Sequence, residues 1–491
     1  MLAVALAALY LSDLADVPYH PDESSYLLMS PDFVTLFLEH NAPALAWSPG
    51  QPQPVQVQKR LLDAPMPRYA AGLGWWLAGY ASAGVNVDWQ WGAPWEANQS
   101  ALPAPGVLLA ARTPFALLGA LSAVVLFWIG LDLGGVAVGL VAALLLALDP
   151  LMLLHARRAM AESLLVFFSV LAVWGALHWL RACDTPGAPR ARLLAGSVAV
   201  GVLLGLAVCA KQTELALLPP VLLLGVITLL GAPRRAVRPG DAAPRAVALA
   251  ISTDEAGSRS GAMVGTGDAG PRTTPLAGRA VTALLAAAGI AAASALTFYL
   301  LNPVLLTDPI GVARQMVTSR VVLANAQVVV NGSANPGLVL AGPAARVAAA
   351  IGQLYWAMPS FWDVPLYLDR LRPPAERYLA AGWHSALREP PASLLLIAFS
   401  LLGAVLSAAR LVQRGLGAAT RAEQILWLWT LCTLALLALS IPLNWQRYFM
   451  PLLPASRLFA ALGLVAAARF VVQRFRLPAA LPRVAGAARH V

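Results

Sequence analysis

Long apolar stretches recur along almost the whole chain, and they constrain the fold more than any other feature. Nine of them, each about 16 to 22 residues long, fall at 113–131, 133–150, 163–180, 193–210, 215–232, 280–301, 392–409, 424–443 and 449–468. A helix of about 20 apolar residues crosses a hydrocarbon layer of roughly 30 Å while satisfying its own backbone hydrogen bonds. The sequence therefore predicts an all-α, polytopic membrane protein.

The composition excludes an ordinary soluble domain. Of the 491 residues, 59% are hydrophobic and only 12% are charged, whereas a soluble domain carries about 25% charged residues. A further apolar stretch at 1–12 is too short to span alone, so either the start of the chain is misplaced or a first helix continues through 14–17. No basic segment precedes it, so it does not resemble a cleaved signal. Counting it predicts about ten transmembrane helices.

The loop charges predict the orientation in the membrane. If successive spans cross the membrane in alternating directions, four basic segments lie on one side: 181–192, 233–279, 410–423 and the tail from 469. Together with Asp132, in a short turn on the same side, they contain 18 Arg and 7 acidic residues. Basic loops stay cytoplasmic. The segments 13–112, 151–162, 302–391 and 444–448 then face outward. The net charge of +10 reflects this orientation, and no nucleic-acid partner is indicated.

The chain is predicted to form one integral membrane domain over residues 1–491. Its first long outer segment, 13–112, is the expected catalytic loop, and 302–391 is the second long outer loop. Both carry amphipathic stretches, at 68–80 and 345–358, that are typical of helices lying in the membrane interface. The loop at 233–279 is rich in Gly, Ala, Ser, Thr and Pro, which indicates a flexible cytoplasmic linker.

An acidic pair follows the first apolar stretch. Asp22 and Glu23 come directly after Pro21, and a carboxylate held at a membrane surface can act as a general base toward a hydroxyl or amine. The alternative is that both residues only cap and charge the first turn of a helix.

Basic residues cluster at the same predicted outer face. Arg157 and Arg158 precede Glu162, and they either bind an anionic headgroup or, for Arg158 and Glu162, simply pair as i and i+4 on a helix. Lys211 ends an apolar run and either serves the site or pairs with Glu214 at the interface.

Arg447 and Tyr448 lie at another outer turn. Carboxylates and cations on one membrane face suit a sugar carried on polyprenyl phosphate, since the acceptor needs a base and the departing phosphate needs cations.

At these residues the sequence resembles the GT-C membrane glycosyltransferases, specifically glycosyltransferase family 39, which includes protein O-mannosyltransferases and the aminoarabinose transferase of lipid A. Asp22-Glu23 matches the family's acidic pair, and 63–69 looks like its His-Pro-Pro-Leu region with Asp63-Ala64 in place of His-Pro. The stretches at 156–162, 206–220 and 302–309, and Arg447-Tyr448, are similar to its later motifs and follow in the same order.

The resemblance implies a GT-C-like bundle and an inverting transferase with a polyprenyl-phosphate sugar donor, acting in the cell envelope. Asp22 would be the base, Glu23 its neighbour or a second acceptor contact, and Glu162 the second acidic group of the site. The donor phosphate would be held by Arg157 or Arg158 together with Lys211, Arg447 and Tyr448.

The acceptor is expected to be a protein, a lipid or a glycan. The location is expected to be a prokaryotic cytoplasmic membrane with the site facing outward. No tightly bound metal is expected, although Asp22, Glu23 and Glu162 could hold a divalent ion. The alternatives are a lipid-linked sugar flippase or transporter and a noncatalytic membrane scaffold.

Overall fold

The computed structural model describes residues 1–48, 55–231, 276–360 and 365–475, and within these ranges the regular structure is helical. The α-helices, in chain order, are α1 (Leu2–Leu11), α2 (Pro21–Met29), α3 (Val55–Leu62), α4 (Pro65–Leu77), α5 (Pro105–Gly134), α6 (Val136–Ala147), α7 (Pro150–His155), α8 (Ala161–Asp184), α9 (Arg190–Ala210), α10 (Leu218–Leu230), α11 (Leu276–Leu300), α12 (Pro309–Ala334), α13 (Pro343–Tyr355), α14 (Leu368–Ala380), α15 (Pro390–Arg414), α16 (Arg421–Ser440) and α17 (Leu453–Phe475).

Eight helical segments in this part of the chain are long and apolar enough to cross a membrane. They are Pro105–Gly134, Ala161–Asp184, Arg190–Ala210, Gln212–Leu230, Leu276–Leu300, Pro390–Arg414, Ala418–Ser440 and Gln446–Phe475. Two shorter apolar helices, α1 and α6, bring the number of apolar helices to the predicted ten. The all-α, multi-pass membrane fold is thereby confirmed.

Two predicted helix boundaries were wrong. The expected span at 133–150 is shortened at both ends: α5 continues to Gly134, Gly135 turns the chain with a φ of +89°, and α6 ends at Ala147. The following α6 has only 12 residues, about 18 Å of helix. The first helix does not continue through 14–17, because α1 ends at Leu11 and Asp13 takes a left-handed φ of +54°.

The two long predicted outer segments each contain three further helices. Segment 13–112 holds α2, α3 and α4, and segment 302–391 holds α12, α13 and α14. The amphipathic stretches expected at 68–80 and 345–358 lie in α4 and α13, so their helical character is confirmed. The expected linker at 233–279 lies outside the described residues except for its last four residues, which begin α11.

A buried ionic triad joins four parts of the bundle. Asp149 caps α7, and both of its carboxylate oxygens lie 3.1 Å from Nη2 of Arg388. Arg457 of α17 donates through Nε to Asp149 at 3.2 Å and through Nη2 to the carbonyl of Leu354 at 2.7 Å. All three charged side chains are fully buried. Arg457 is therefore paired inside the bundle, as charges at membrane depth generally are.

Helices α15 and α17 touch through a pair of glycines. A Cβ built on Gly403 would lie 1.9 Å from the carbonyl oxygen of Phe459, and one built on Gly463 would lie 1.9 Å from that of Phe399. Small residues allow membrane helices to approach backbone to backbone. This contact has no room for a larger side chain.

Candidate active site

A cavity of about 370 Å³ opens where α2, α3 and α12 meet the start of α8, the end of α9 and the turn before α17. Its charged lining residues are Asp22, Lys59, Asp63, Glu162, Lys211, Arg320 and Arg447. Its aromatic lining residues are Tyr26, Trp91, Tyr367, Trp445 and Tyr448. Concave sites with a few convergent polar groups and aromatic walls are typical of small-molecule binding.

Asp22 reaches this cavity from the first turn of α2. Pro21 starts the helix, and the Asp22 backbone N–H donates to Nδ1 of His20 at 3.1 Å. The Asp22 carboxylate is paired with the guanidinium of Arg447, and its side chain keeps 25% of its surface exposed. A partly solvated carboxylate at the mouth of a cavity can exchange its partner for a substrate.

Glu23 faces the opposite way and does not line the cavity. Its two carboxylate oxygens each lie 2.7 Å from a nitrogen of Arg112. They also accept the backbone N–H of Ala159 at 2.9 Å and that of His20 at 3.0 Å. Burial alone would raise the pKa of Glu23, but the Arg112 charge and these hydrogen bonds hold it below its usual value. The structure therefore places the two adjacent acids in different environments.

Glu162 and Lys211 form the second ion pair of the cavity. Glu162 lies in the first turn of α8, and its Oε1 is 3.0 Å from Nζ of Lys211, which follows the last residue of α9. The alternative helical pair of Arg158 with Glu162 is wrong, because α8 begins only at Ala161.

The alternative pair of Lys211 with Glu214 is also wrong. The hydroxyl of Ser169 lies 2.5 Å from Oε2 of Glu214 and 2.6 Å from the carbonyl of Leu165. Glu214 is buried and contacts Ser169, whereas the ion pair of Lys211 is with Glu162.

Arg157 and Arg158 are both buried outside the cavity lining. Arg157 donates to the carbonyl of Leu9, and its Nη1 lies 3.2 Å from Nε2 of His384. The Nε of Arg158 donates to the carbonyl of Pro18 at 3.0 Å. Both side chains hold the segment before α8 against the beginning of the chain.

Arg447 and Tyr448 line the cavity from a 3-10 turn that precedes α17. The Arg447 guanidinium lies 5.0 Å from the ring centre of Trp445. The Tyr448 ring centre lies 5.6 Å from Nζ of Lys211. These cation–π contacts group the two basic residues on one wall of the cavity.

Three charged residues of the cavity were missed as site residues. Lys59 is one of only two lysines in the chain, and that rarity is a signal that could have drawn attention to it. Asp63 stands where the family pattern has His, and burial raises its pKa. Arg320 lies in the middle of α12, and no local sequence pattern distinguishes it.

The carboxylates of the cavity do not form a metal site. Asp22 and Glu162 each pair with a basic side chain, and in the described ranges no three His, Cys, Asp or Glu residues gather closely enough to hold an ion. The expected absence of a tightly bound metal stays a prediction.

The comparisons with known proteins agree with a glycosyltransferase. Residues 63–243 match the family model of dolichyl-phosphate-mannose-protein mannosyltransferase, which confirms the resemblance to glycosyltransferase family 39 over that segment. No curated protein matches the sequence.

Two of the similar solved structures are of oligosaccharyltransferases from Archaeoglobus fulgidus. One, a complex with Zn and sulfate, has 13% identity and a TM-score of 0.49 over 96% of this chain and 50% of that chain. The other, AglB with an inhibitory peptide and a dolichol-phosphate, has 13% identity and a TM-score of 0.46 over 100% of this chain and 52% of that chain. The chain thus spans about half the length of these archaeal proteins.

Proposed function

We propose that the protein is an inverting glycosyltransferase that moves a sugar from a polyprenyl-phosphate donor to an acceptor hydroxyl or amine on the outer face of a prokaryotic cytoplasmic membrane. The observation that carries this proposal is the pairing of Asp22 with Arg447 in the same cavity as the pair of Glu162 with Lys211. One cavity thus holds a candidate base beside two cations for a phosphate.

The donor phosphate takes the place of a carboxylate on these cations. Arg447 and Lys211 share one wall with Tyr448, and a phosphate there accepts charge-assisted hydrogen bonds from both basic side chains. When the phosphate engages Arg447, the Asp22 carboxylate gives up that contact and can accept a proton from the acceptor. Donor binding and activation of the base are thereby linked through Arg447.

The reaction then needs one displacement. The acceptor oxygen or nitrogen attacks the anomeric carbon, and the bond from that carbon to the phosphate oxygen breaks. The acceptor proton passes to Asp22, while Arg447 and Lys211 stabilise the negative charge that develops on the departing polyprenyl phosphate. Attack opposite the leaving group inverts the anomeric carbon.

A transfer assay with matched acidic variants tests the base. Purified protein in lipid nanodiscs is given radiolabelled sugars on polyprenyl phosphate together with membrane extract as acceptor. Asp22→Asn should lose about a hundredfold or more in rate, within the range for removal of a general base. Asp16→Asn, in the same segment but exposed and outside the cavity, should transfer at the wild-type rate. Transfer by Asp22→Asn at that rate would reject Asp22 as the base.

A binding assay tests the cations separately. Arg447→Gln and Lys211→Gln should each weaken binding of sugar-free polyprenyl phosphate, whereas Arg377→Gln, exposed on α14, should not. Absence of transfer from every donor, combined with donor binding that Asp22→Asn does not change, would favour the flippase or the scaffold.

A further inference from the structure

Trp91 exposes a large apolar surface inside the polar cavity. It lines the cavity and is 45% exposed. Exposed apolar surface in a concave site with polar neighbours indicates a ligand that buries it. Trp128, which is 46% exposed on the apolar helix α5 and lies outside the cavity lining, offers a natural comparison.

The chain before Trp91 is anchored to the helix that carries Asp22. The Asp88 carboxylate lies 3.0 Å from Nζ of Lys59 and accepts a hydrogen bond from the Ser25 hydroxyl at 3.0 Å. Ser25 lies on α2, one turn after Asp22. The position of the Trp91 loop is therefore set relative to Asp22.

The chain around Trp91 is also fixed by hydrogen bonds to Asn98 and Tyr367. The side-chain oxygen of Asn98 accepts the Gln90 backbone N–H at 2.7 Å. The hydroxyl of Tyr367 lies 3.2 Å from the carbonyls of Gln90 and Ala93, which bracket Trp91. The Tyr367 ring packs on Trp91 with its centre 6.0 Å away. An exposed tryptophan fixed in this way is preorganised for binding, so little ordering entropy opposes the contact.

Asp22 and Ser25 lie one turn apart on the same face of α2. Asp22 contacts Arg447, and Ser25 contacts Asp88 in the chain that leads to Trp91. The same cavity therefore holds the candidate base, the cations and Trp91, and Lys59 and Asp63 add polar groups to its lining.

We propose that Trp91 is a stacking platform for a pyranose ring bound in this cavity, either the sugar of the donor or a sugar of the acceptor. This inference rests on the proposed function, which brings a sugar into the cavity. A pyranose has an apolar C–H face that can cover the indole ring, and its hydroxyl edge needs hydrogen-bond partners such as Lys59 and Asp63.

Binding of simple sugars to the full chain in nanodiscs, without donor, tests the proposal. Saturation-transfer NMR is used with methyl pyranosides of glucose, mannose, galactose and N-acetylglucosamine. The wild type should bind at least one of them, and Trp91→Ala should weaken its binding about tenfold, since an aromatic contact contributes up to about 1.5 kcal/mol. Trp91→Phe, which keeps a ring, should stay within about threefold of the wild type by the same measure, and Trp128→Ala should bind unchanged.

Two results would overturn the proposal: no binding of any methyl pyranoside to the wild type, or unchanged binding to Trp91→Ala. A rise in the donor KM of Trp91→Ala alone assigns the platform to the donor sugar, and a rise in its acceptor KM alone assigns it to an acceptor sugar. If Trp91→Ala does not fold, unchanged binding to Trp91→Leu, which keeps apolar bulk without a ring, overturns it instead.

Failure of the proposed function gives a different pattern. No polyprenyl-phosphate donor would then support transfer by the wild type, whereas the dependence of methyl pyranoside binding on Trp91 would persist.

Discussion

Replacement of Glu23 by Gln should destabilise the protein, although the change is nearly isosteric. Glu23 neutralises Arg112 through two contacts of 2.7 Å in a fully buried pair. Removing one partner of a buried ion pair leaves an uncompensated charge and costs about 3 to 5 kcal/mol. In the variant, Arg112 still donates hydrogen bonds to the carbonyls of Leu14 and Val17, at 3.1 and 2.9 Å. We therefore expect a loss of unfolding free energy at the lower end of that range, about 3 kcal/mol, or roughly a hundredfold in the folding equilibrium.

The adjacent residue provides the control. Asp22→Asn removes an ion pair whose carboxylate side chain is 25% exposed, and partly solvated pairs contribute only about 1 kcal/mol or less. The free energy of unfolding in mixed detergent micelles, followed by tryptophan fluorescence, should therefore differ between the variants of these two neighbouring acids. Glu23→Gln should lose stability, whereas Asp22→Asn should keep its stability and lose transfer.

A double variant checks the cause of the destabilisation. Glu23→Gln combined with Arg112→Met removes both charges, so it should recover part of the lost stability. A Glu23→Gln protein within about 0.5 kcal/mol of the wild type, the range of ordinary surface substitutions, would refute the reasoning.

The same pair predicts a pH dependence of stability. The pKa of Glu23 is lowered in the folded state, so its contribution is present above the ordinary glutamate pKa of about 4.3 and is lost as the pH falls through the folded-state value. Glu23→Gln should flatten the stability profile in this acidic range. An acid limb of the same steepness in both proteins would contradict the assignment.

Three further variants probe other parts of the fold. Burial raises the pKa of Asp63, so the contribution of this residue to folding stability is lost as the pH rises. Asp63→Asn should therefore be at least as stable as the wild type at pH 7. In the same unfolding assay, its stability should depend less on pH above 4. Glu214→Gln should stay close to the wild type in thermal unfolding, because the Gln side chain keeps an oxygen that can accept from Ser169, whereas Glu214→Ala should lose about 1 to 3 kcal/mol. Gly403→Ala should lose about 1 to 3 kcal/mol by forcing α15 from α17, while Gly352→Ala, where a Cβ meets open space on α13, should keep or gain stability.

The spans followed from the sequence because membrane solvation acts on each segment separately. A run of apolar residues must form a helix in lipid whatever its neighbours do, so eight of the nine predicted long spans are confirmed. The exception is 133–150, where Gly135 adopts a φ of +89° and α6 already ends at Ala147, before the Asp149 cap of α7. Apolar content alone does not reveal where a helix ends inside an apolar run.

The candidate site was only partly visible in the sequence. Five of the eight predicted residues line the cavity, namely Asp22, Glu162, Lys211, Arg447 and Tyr448. Their residue types and their positions at helix ends were the signals that indicated them. Glu23, Arg157 and Arg158 have the same types and the same positions, yet they lie outside the lining.

The sequence by itself therefore determined that the protein folds in a membrane, how many apolar helices it has, and the group of residues from which the candidate site is drawn. Which of two adjacent acids faces the cavity was decided by the tertiary structure, because one step along a helix rotates a side chain by about 100°. The same holds for the pairing of Glu162 with Lys211, 49 positions apart in sequence. Such contacts depend on how the ends of separate helices meet, and no local pattern encodes that geometry.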